Sequence, residues 1–123
     1  MLTDTLDRAQ PRPVYVPGPR LAPVVAYLEA HADEPLTPRQ LARVGYMSVR
    51  ALHAAFQQVL GETPMSYLRR VRLDRAHAEL LRGDPARVRV TDVAVRWGFC
   101  PQSRFAEQYR ARFGELPSRT LRS

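Results

Sequence analysis

The sequence predicts an all-α fold, and three observations carry that expectation. From Leu21 onward, apolar residues recur at intervals of three and four, the stripe of an amphipathic helix. The stretches open on cap residues (Thr37, Ser48, Thr63, Thr91) and close on glycines (Gly45, Gly61, Gly83, Gly98, Gly114). No stretch alternates with period two for long enough to make a strand. Arg87-Val88-Arg89-Val90 does so only briefly, between Pro85 and a helix cap.

Residues 1–20 hold Pro11, Pro13, Pro17 and Pro19 and no periodicity, and they read as a tail or the remnant of a linker. Val24, Val25, Leu28 and Ala32 then form the first stripe, which Asp33-Glu34-Pro35 ends. Thr37-Pro38-Arg39-Gln40 is a start signal. Thr37 is a natural N-cap, Pro38 fits the first helical position where its missing N–H costs nothing, and Gln40 sits at the capping-box position. That short helix runs to about Val44 and closes at Gly45. Ser48 caps the next helix, which turns Leu52, Ala55, Phe56 and Val59 inward and stops at Gly61. Thr63-Pro64 opens a long helix to about Arg82, closed by Gly83-Asp84-Pro85. Thr91 is expected to cap a short helix from Asp92 to Trp97, closed by Gly98. A further helix, about Gln102 to Phe113, carries Phe105, Tyr109 and Phe113 on one stripe and ends at Gly114. Pro117 to Leu121 adds a last turn, for six or seven helices in all.

With 123 residues the chain makes one domain of ordinary size. The single cysteine, Cys100, excludes an intrachain disulfide and any multi-cysteine zinc site. His31, His53 and His77 show no ligand spacing, so neither a metal nor another cofactor is expected. The apolar runs are too short to span a membrane, and MLTDTLDRAQPRP lacks the apolar segment of a secretory signal. A soluble, cytoplasmic protein is expected. No Ser-His-acid arrangement, glycine-rich phosphate loop or carboxylate pair stands out, so the chain is not expected to be an enzyme.

The charge is uneven. Every cation among the 19 Lys and Arg residues is an arginine, set against 12 acids for a net +7. Residues 1–20 carry a slight positive excess and residues 21–68 a slight negative one, so the basicity sits in residues 69–123. A basic domain suggests a polyanion partner, most commonly nucleic acid. The plainer reading is solubility together with the arginine bias of a GC-rich genome.

The chain also repeats. Shifted back by 53 positions, Gly114 falls on Gly61, Glu115 on Glu62, Pro117 on Pro64, Leu121 on Leu68, Tyr109 on Phe56 and Phe105 on Leu52. Ala94 falls on Ala42 at an offset of 52, so the turn in the second copy is one residue longer. Both copies read as short helix, tight turn, longer helix, then Gly-x-x-Pro, which is the helix-turn-helix unit. The first spans about residues 37–61 and the second about 91–114, joined by the long helix over about 64–82.

Residues from about Leu21 to Leu121 resemble the DNA-binding domain of the AraC/XylS family of transcription regulators. The resemblance is carried by Asp92-Val93-Ala94, Trp97-Gly98-Phe99, Phe105, Tyr109, Phe113-Gly114 and Pro117 in the second unit. Leu41-Ala42, Met47-Ser48, Leu52, Phe56, Gly61 and Pro64 carry it in the first. It implies a seven-helix domain over residues 21–123, with two helix-turn-helix units on a rigid connecting helix. It also implies sequence-specific binding to double-stranded DNA by a transcription regulator, an activator in the expected reading. The chain departs from the pattern at Ala54 and Glu107, where many members carry arginine on the DNA face. That departure leaves a second reading, a helical adaptor that meets RNA polymerase or another regulator without reading DNA. Many members also carry an effector domain on the N-terminal side. One protomer with both units is expected to bind DNA as a monomer, and to oligomerise only if an effector domain is missing from this chain.

In a helix-turn-helix, the N-terminal half of the second helix reads base edges in the major groove. In the first unit this leaves Arg50, Ala51, His53 and Ala54 facing outward. Arg50 can bond a guanine through O6 and N7, and His53 is a weaker reader. In the second unit the outward set is Gln102, Ser103, Arg104, Ala106 and Glu107. Gln102 suits adenine. Glu107 either accepts from cytosine or pairs with Arg104 or Arg110. Phosphate contacts are expected from Arg39, Ser48, Gln57, Arg96 and Arg110. Arg72, Arg75, Glu79 and Arg82 form one helical stripe and are expected to be a solvated face. Trp97, Phe99, Phe105, Tyr109 and Phe113 are expected in the core rather than as a stacking platform for single strands.

Overall fold

The structure, a computed structural model, describes residues 18–100 and 104–123. Among them are seven helices and no strand. In chain order they are α1 (Ala22–Ala30), α2 (Pro38–Val44), α3 (Val49–Leu60), α4 (Pro64–Arg82), α5 (Val90–Arg96), α6 (Phe105–Phe113) and α7 (Pro117–Arg122). The expected all-α class holds.

Three helix starts follow the local chemistry of the sequence. Thr37 Oγ1 accepts from the Gln40 N–H at 3.2 Å while Gln40 Oε1 accepts from the Thr37 N–H at 2.8 Å, which closes the capping box of α2. Ser48 Oγ accepts from the Ala51 N–H at 3.0 Å, and Thr63 Oγ1 from the Ser66 N–H at 3.1 Å. Each bond satisfies an amide that the first turn of a helix leaves without a partner.

The later starts differ from expectation. Helix α5 begins at Val90 with Arg89 as N-cap and no side-chain cap, so Thr91 lies inside the helix. The reason is packing: Val88 and Val90 lie against the core of the second unit. Fully burying a valine is worth roughly 1.5–3 kcal/mol, so two partly buried ones together offset the about 1 kcal/mol of a cap. Helix α6 is described from Phe105, with Arg104 as its N-cap and no side-chain cap. Gln102 and Ser103 lie outside the described residues, as does most of the proline-rich stretch.

Two cores flank α4. The first gathers Leu21, Val24, Leu28, Ala32, Leu36, Leu41, Ala42, Leu52, Phe56 and Leu68. The second gathers Leu73, Ala76, Leu80, Val93, Ala94, Phe99, Phe105, Tyr109 and Leu121. Helix α4 supplies Leu68 to one and Leu73, Ala76 and Leu80 to the other, and it packs on α1 and α3 as well as on α5 and α7. Tyr67 of α4 donates to Glu29 Oε2 at 2.6 Å. Burial, followed by that bond, pushes its phenol up to about 12, so it remains a donor at neutral pH.

The repeat seen in the sequence is a repeat in space. Leu52 and Phe105, Phe56 and Tyr109, and Leu68 and Leu121 are buried in pairs. Gly61 (φ 73°) and Gly114 (φ 80°) close α3 and α6 in the left-handed conformation that glycine adopts without a Cβ penalty. In the turns, the Met47 N–H donates to Ala42 O at 3.0 Å and the Phe99 N–H to Ala94 O at 2.9 Å, the same bond in both copies.

One position breaks the symmetry. Where the second turn has Gly98 (φ 87°), the first has Tyr46 (φ 54°), 92% exposed. A left-handed conformation costs a non-glycine residue roughly 1–2 kcal/mol. Gly45, one residue earlier, is needed for a different reason: a Cβ there would come within 2.7 Å of Val24 Cγ2 and Met47 Cε. Tyr46→Gly should therefore raise stability by up to about 1 kcal/mol, read as a higher urea midpoint at unchanged slope. A lower midpoint would show that the tyrosine ring contributes more than its backbone costs.

The charged stripe of α4 is not the solvated face that its spacing suggests. Arg72 is half-buried and donates from Nε to Ala32 O at 2.7 Å and from Nη2 to Glu34 O at 2.6 Å. Arg75 donates to Glu29 O at 2.9 Å, and Glu79 Oε1 accepts from the Trp97 indole at 2.9 Å. Arg82, at the helix end, is the exposed member. The aromatic set lies in or against the second core as expected, with Trp97 and Phe113 only partly buried.

Candidate nucleic-acid interface

Burying Leu52 and Phe56 fixes how α3 rolls on the core. The opposite face then presents Arg50, Ala54 and Gln57, three exposed residues spaced by four and three along one side of the helix. Arg50 lies in the first turn of α3, beside the Ser48 cap, where a reading helix enters a groove. His53 is half-buried, and its Nδ1 lies 3.1 Å from Val49 O. A carbonyl can only accept, so Nδ1 carries the proton in that bond. In the neutral ring Nε2 is then an acceptor.

Arg39 and Ser48, both expected at phosphates, lie together along an open depression of about 310 Å³ that Arg43 also lines. The sequence reading missed Arg43. The available signal was its position one turn after Arg39 on a short helix whose buried side is Leu41 and Ala42. This edge of the first unit therefore carries two exposed arginines beside the start of the reading helix.

In the second unit, burial of Phe105 and Tyr109 leaves Ala106, Glu107 and Arg110 exposed on α6 and Arg104 exposed at its N-cap. Of the two uses open to Glu107, the structure has it paired with Arg104, Nε to Oε1 at 2.9 Å. Both side chains are mostly exposed, and such a pair contributes little to stability, so it can rearrange when a ligand arrives. Arg110, Arg119 and Arg122 line a depression of about 510 Å³ with Glu115 and Ser118, a basic edge at the far end of α6. Arg96 is bonded to Glu79, on α4. Arg112 is held by both oxygens of Asp74, at 2.7 and 3.0 Å. Exposed basic side chains at α3 and α6 thus include Arg39, Arg43 and Arg50 on one side and Arg110 on the other, with Arg104 in its exposed pair with Glu107.

Among the described residues no group of three or more His, Cys, Asp or Glu side chains could hold a metal, and no helix is long and apolar enough to cross a membrane.

A family model described as a helix-turn-helix domain matches residues 41–123. The chain is 47% identical over 114 residues to the probable thc operon regulatory protein of Rhodococcus erythropolis, covering 89% of this chain and 34% of that protein. It spans about a third of the length of most of the curated relatives it matches. Among solved structures, a probable AraC family transcriptional regulator from Rhodopseudomonas palustris superposes with a TM-score of 0.77 at 38% identity, covering 85% of this chain and 96% of that one. The DNA-binding domain of the global transcriptional factor AdpA, solved in complex with a target DNA, superposes with a TM-score of 0.73 at 29% identity, covering 85% and 92%.

Proposed function

The chain belongs to the AraC-type family of helix-turn-helix transcription regulators, and from that premise we propose that it reads double-stranded DNA with α3 and α6 in two successive major grooves. The observation that carries this reading is the exposed line of Arg50, Ala54 and Gln57 on α3, with Arg39 and Arg43 at its edge, together with Glu107 and Arg110 at the positions of α6 that correspond to Ala54 and Gln57, and Arg104 at the N-cap of α6. Two reading helices in successive grooves lie about 34 Å apart along one face of the duplex. Both are in one protomer, so binding proceeds without a dimer. Arg50, His53, Arg104 and Glu107, with Gln102 and Ser103, read bases. Arg39, Ser48, Gln57 and Arg110 meet phosphates, with Arg43 added to that set and Arg96 in it if Glu79 releases it. Once on DNA the protein is held at the nucleoid, where RNA polymerase is the partner that an activator would address.

The test begins with a binding-site selection. Arg50→Ala should then lower affinity for the selected duplex by about 1–3 kcal/mol and relax the preference at one base pair. A variant that weakens every sequence equally would make Arg50 a phosphate anchor. One that keeps wild-type affinity and preference would show that α3 does not read DNA through Arg50. Arg119→Ala, at a basic edge away from the groove-entering turns, serves as the comparison at the same salt concentration.

A further inference from the structure

We propose that Arg72 is the positioning residue that fixes the two reading helices relative to each other, by locking the first unit's loop against the second unit's turn. The proposal rests on the two-groove reading above. The closer helix packings lie within one unit or run from a unit to α4, so the relation between the units depends on what α4 presents at their junction.

Arg72 lies there, between Leu68 of the first core and Leu73 of the second. One edge of its guanidinium bonds the first unit: Nε to Ala32 O at 2.7 Å and Nη2 to Glu34 O at 2.6 Å, both in the loop after α1. Its other side is filled by the second unit. A Cβ on Gly98 would come within 3.0 Å of Arg72 Nη1 and 3.1 Å of Cζ, so the bare backbone of the second turn lies directly on the guanidinium. The group is wedged between the two units and bonded to one of them.

The neighbouring residues extend the junction. Arg75, one turn along α4, donates to Glu29 O at 2.9 Å and lies over the Trp97 ring, 5.8 Å from its centroid. Trp97 packs against both cores, and its indole donates to Glu79 at 2.9 Å. Only a flat, forked cation fits the Arg72 slot. A lysine ammonium can bond two carbonyls, but from one compact tetrahedral nitrogen, with neither the separated Nε and Nη2 donors used here nor a flat face to lie under a glycine.

The consequence is phasing. An extra base pair between the two read segments moves one groove by about 3.4 Å and rotates it, so a locked pair of helices must strain or let go, whereas a loosened pair follows. The first measurement uses no DNA. Spin labels at Ala54→Cys and Ala106→Cys, in a Cys100→Ser background, report the distance distribution between α3 and α6. It should be narrow with Arg72 and at least about twofold broader in Arg72→Met, since discrete packed joints do not deform continuously. Arg72→Lys, which keeps the stem and the charge, should broaden it too.

The second measurement uses the selected duplex, the same duplex with one base pair inserted between the read segments, and one with a single segment scrambled. The insertion should cost the protein with Arg72 about tenfold or more and Arg72→Met less than about threefold, while the scrambled duplex treats them alike. Equal distance widths, an equal insertion penalty, or loss of the fold in both Arg72 variants would overturn the proposal. If the wild-type protein selects no duplex, the DNA reading fails while the label widths still decide the role of Arg72.

Discussion

Raising monovalent salt from 50 to 200 mM should weaken binding to the selected duplex by about 10²–10³-fold, with log K falling linearly against log salt. The magnitude follows from how many phosphates the protein can neutralise, since each releases about 0.9 of a counterion from the duplex. The formal charge of +7 is a poor guide to that number. Arg70, Arg96 and Arg112 are paired with Glu62, Glu79 and Asp74, and Arg72 and Arg75 are spent on backbone carbonyls. The exposed basic groups near the reading helices are Arg39, Arg43, Arg50 and Arg110, joined by Arg104 once it leaves its exposed pair with Glu107, so about four to five phosphates and a slope near −4 are expected. Fluorescence anisotropy on a labelled duplex across four salt concentrations gives the slope directly. A flat plot would leave the adaptor reading, in which α3 and α6 meet a protein surface, as the better account of their exposed faces.

Phe56→Ala should destabilise the fold by about 3–5 kcal/mol, as truncation of a fully buried aromatic does. Phe56 has no exposed surface, and its ring meets Tyr67 edge-on at 5.9 Å between centroids. It contacts the core from the middle of α3. Neighbours fixed on three helices cannot collapse to fill the space it leaves. A domain of this size has only about 5–15 kcal/mol in total, so the variant should melt far below the wild type or be largely unfolded at 37 °C. Urea denaturation followed by circular dichroism measures the loss. Phe113, which sequence spacing puts on an equivalent stripe, is only partly buried and lies flat on His77 at 4.1 Å. Phe113→Ala should cost distinctly less. A Phe56 variant as stable as the wild type would mean that α3 is rolled the other way, with Arg50 no longer outward.

The parts of this fold that were legible in the sequence are those decided within a few residues. Thr37, Ser48 and Thr63 cap helices because the amides they satisfy are three positions away. Gly61 and Gly114 end helices because a left-handed residue is needed at that point. The repeat was legible because both copies answer to the same local requirements. Long-range contacts decided the rest. Arg72, Arg75 and Glu79 have the spacing of a solvated stripe, but Arg72 meets Ala32 and Glu34, about 40 positions earlier in the chain, which no periodicity reports. Thr91 has the chemistry of a cap and lost that role to two valines packing on a core. In the first turn Gly45 is the C-cap that the sequence signals, but what it supplies is room for Val24, and Tyr46 takes the left-handed conformation. At the candidate site, Arg50 was legible from a cap and a stripe. The Arg104–Glu107 pairing required knowing how α6 rolls.

The division of α4 between two cores gives one continuous helix two different anchors. Its N-terminal half is held by Leu68 among the residues of the first core, and its C-terminal half by Leu73, Ala76 and Leu80 among those of the second. Among the described residues, the first core is also wrapped by more partly buried apolar side chains than the second. Regions with fewer apolar contacts open at lower free energy. Amide protons along α4 should therefore not exchange as a single block. Protection should step down beyond Arg72, and α5 to α7 should open and close while the first unit stays folded. The protein would then behave as two cooperative unfolding units sharing one helix, and a ligand that grips both at once would convert them into one.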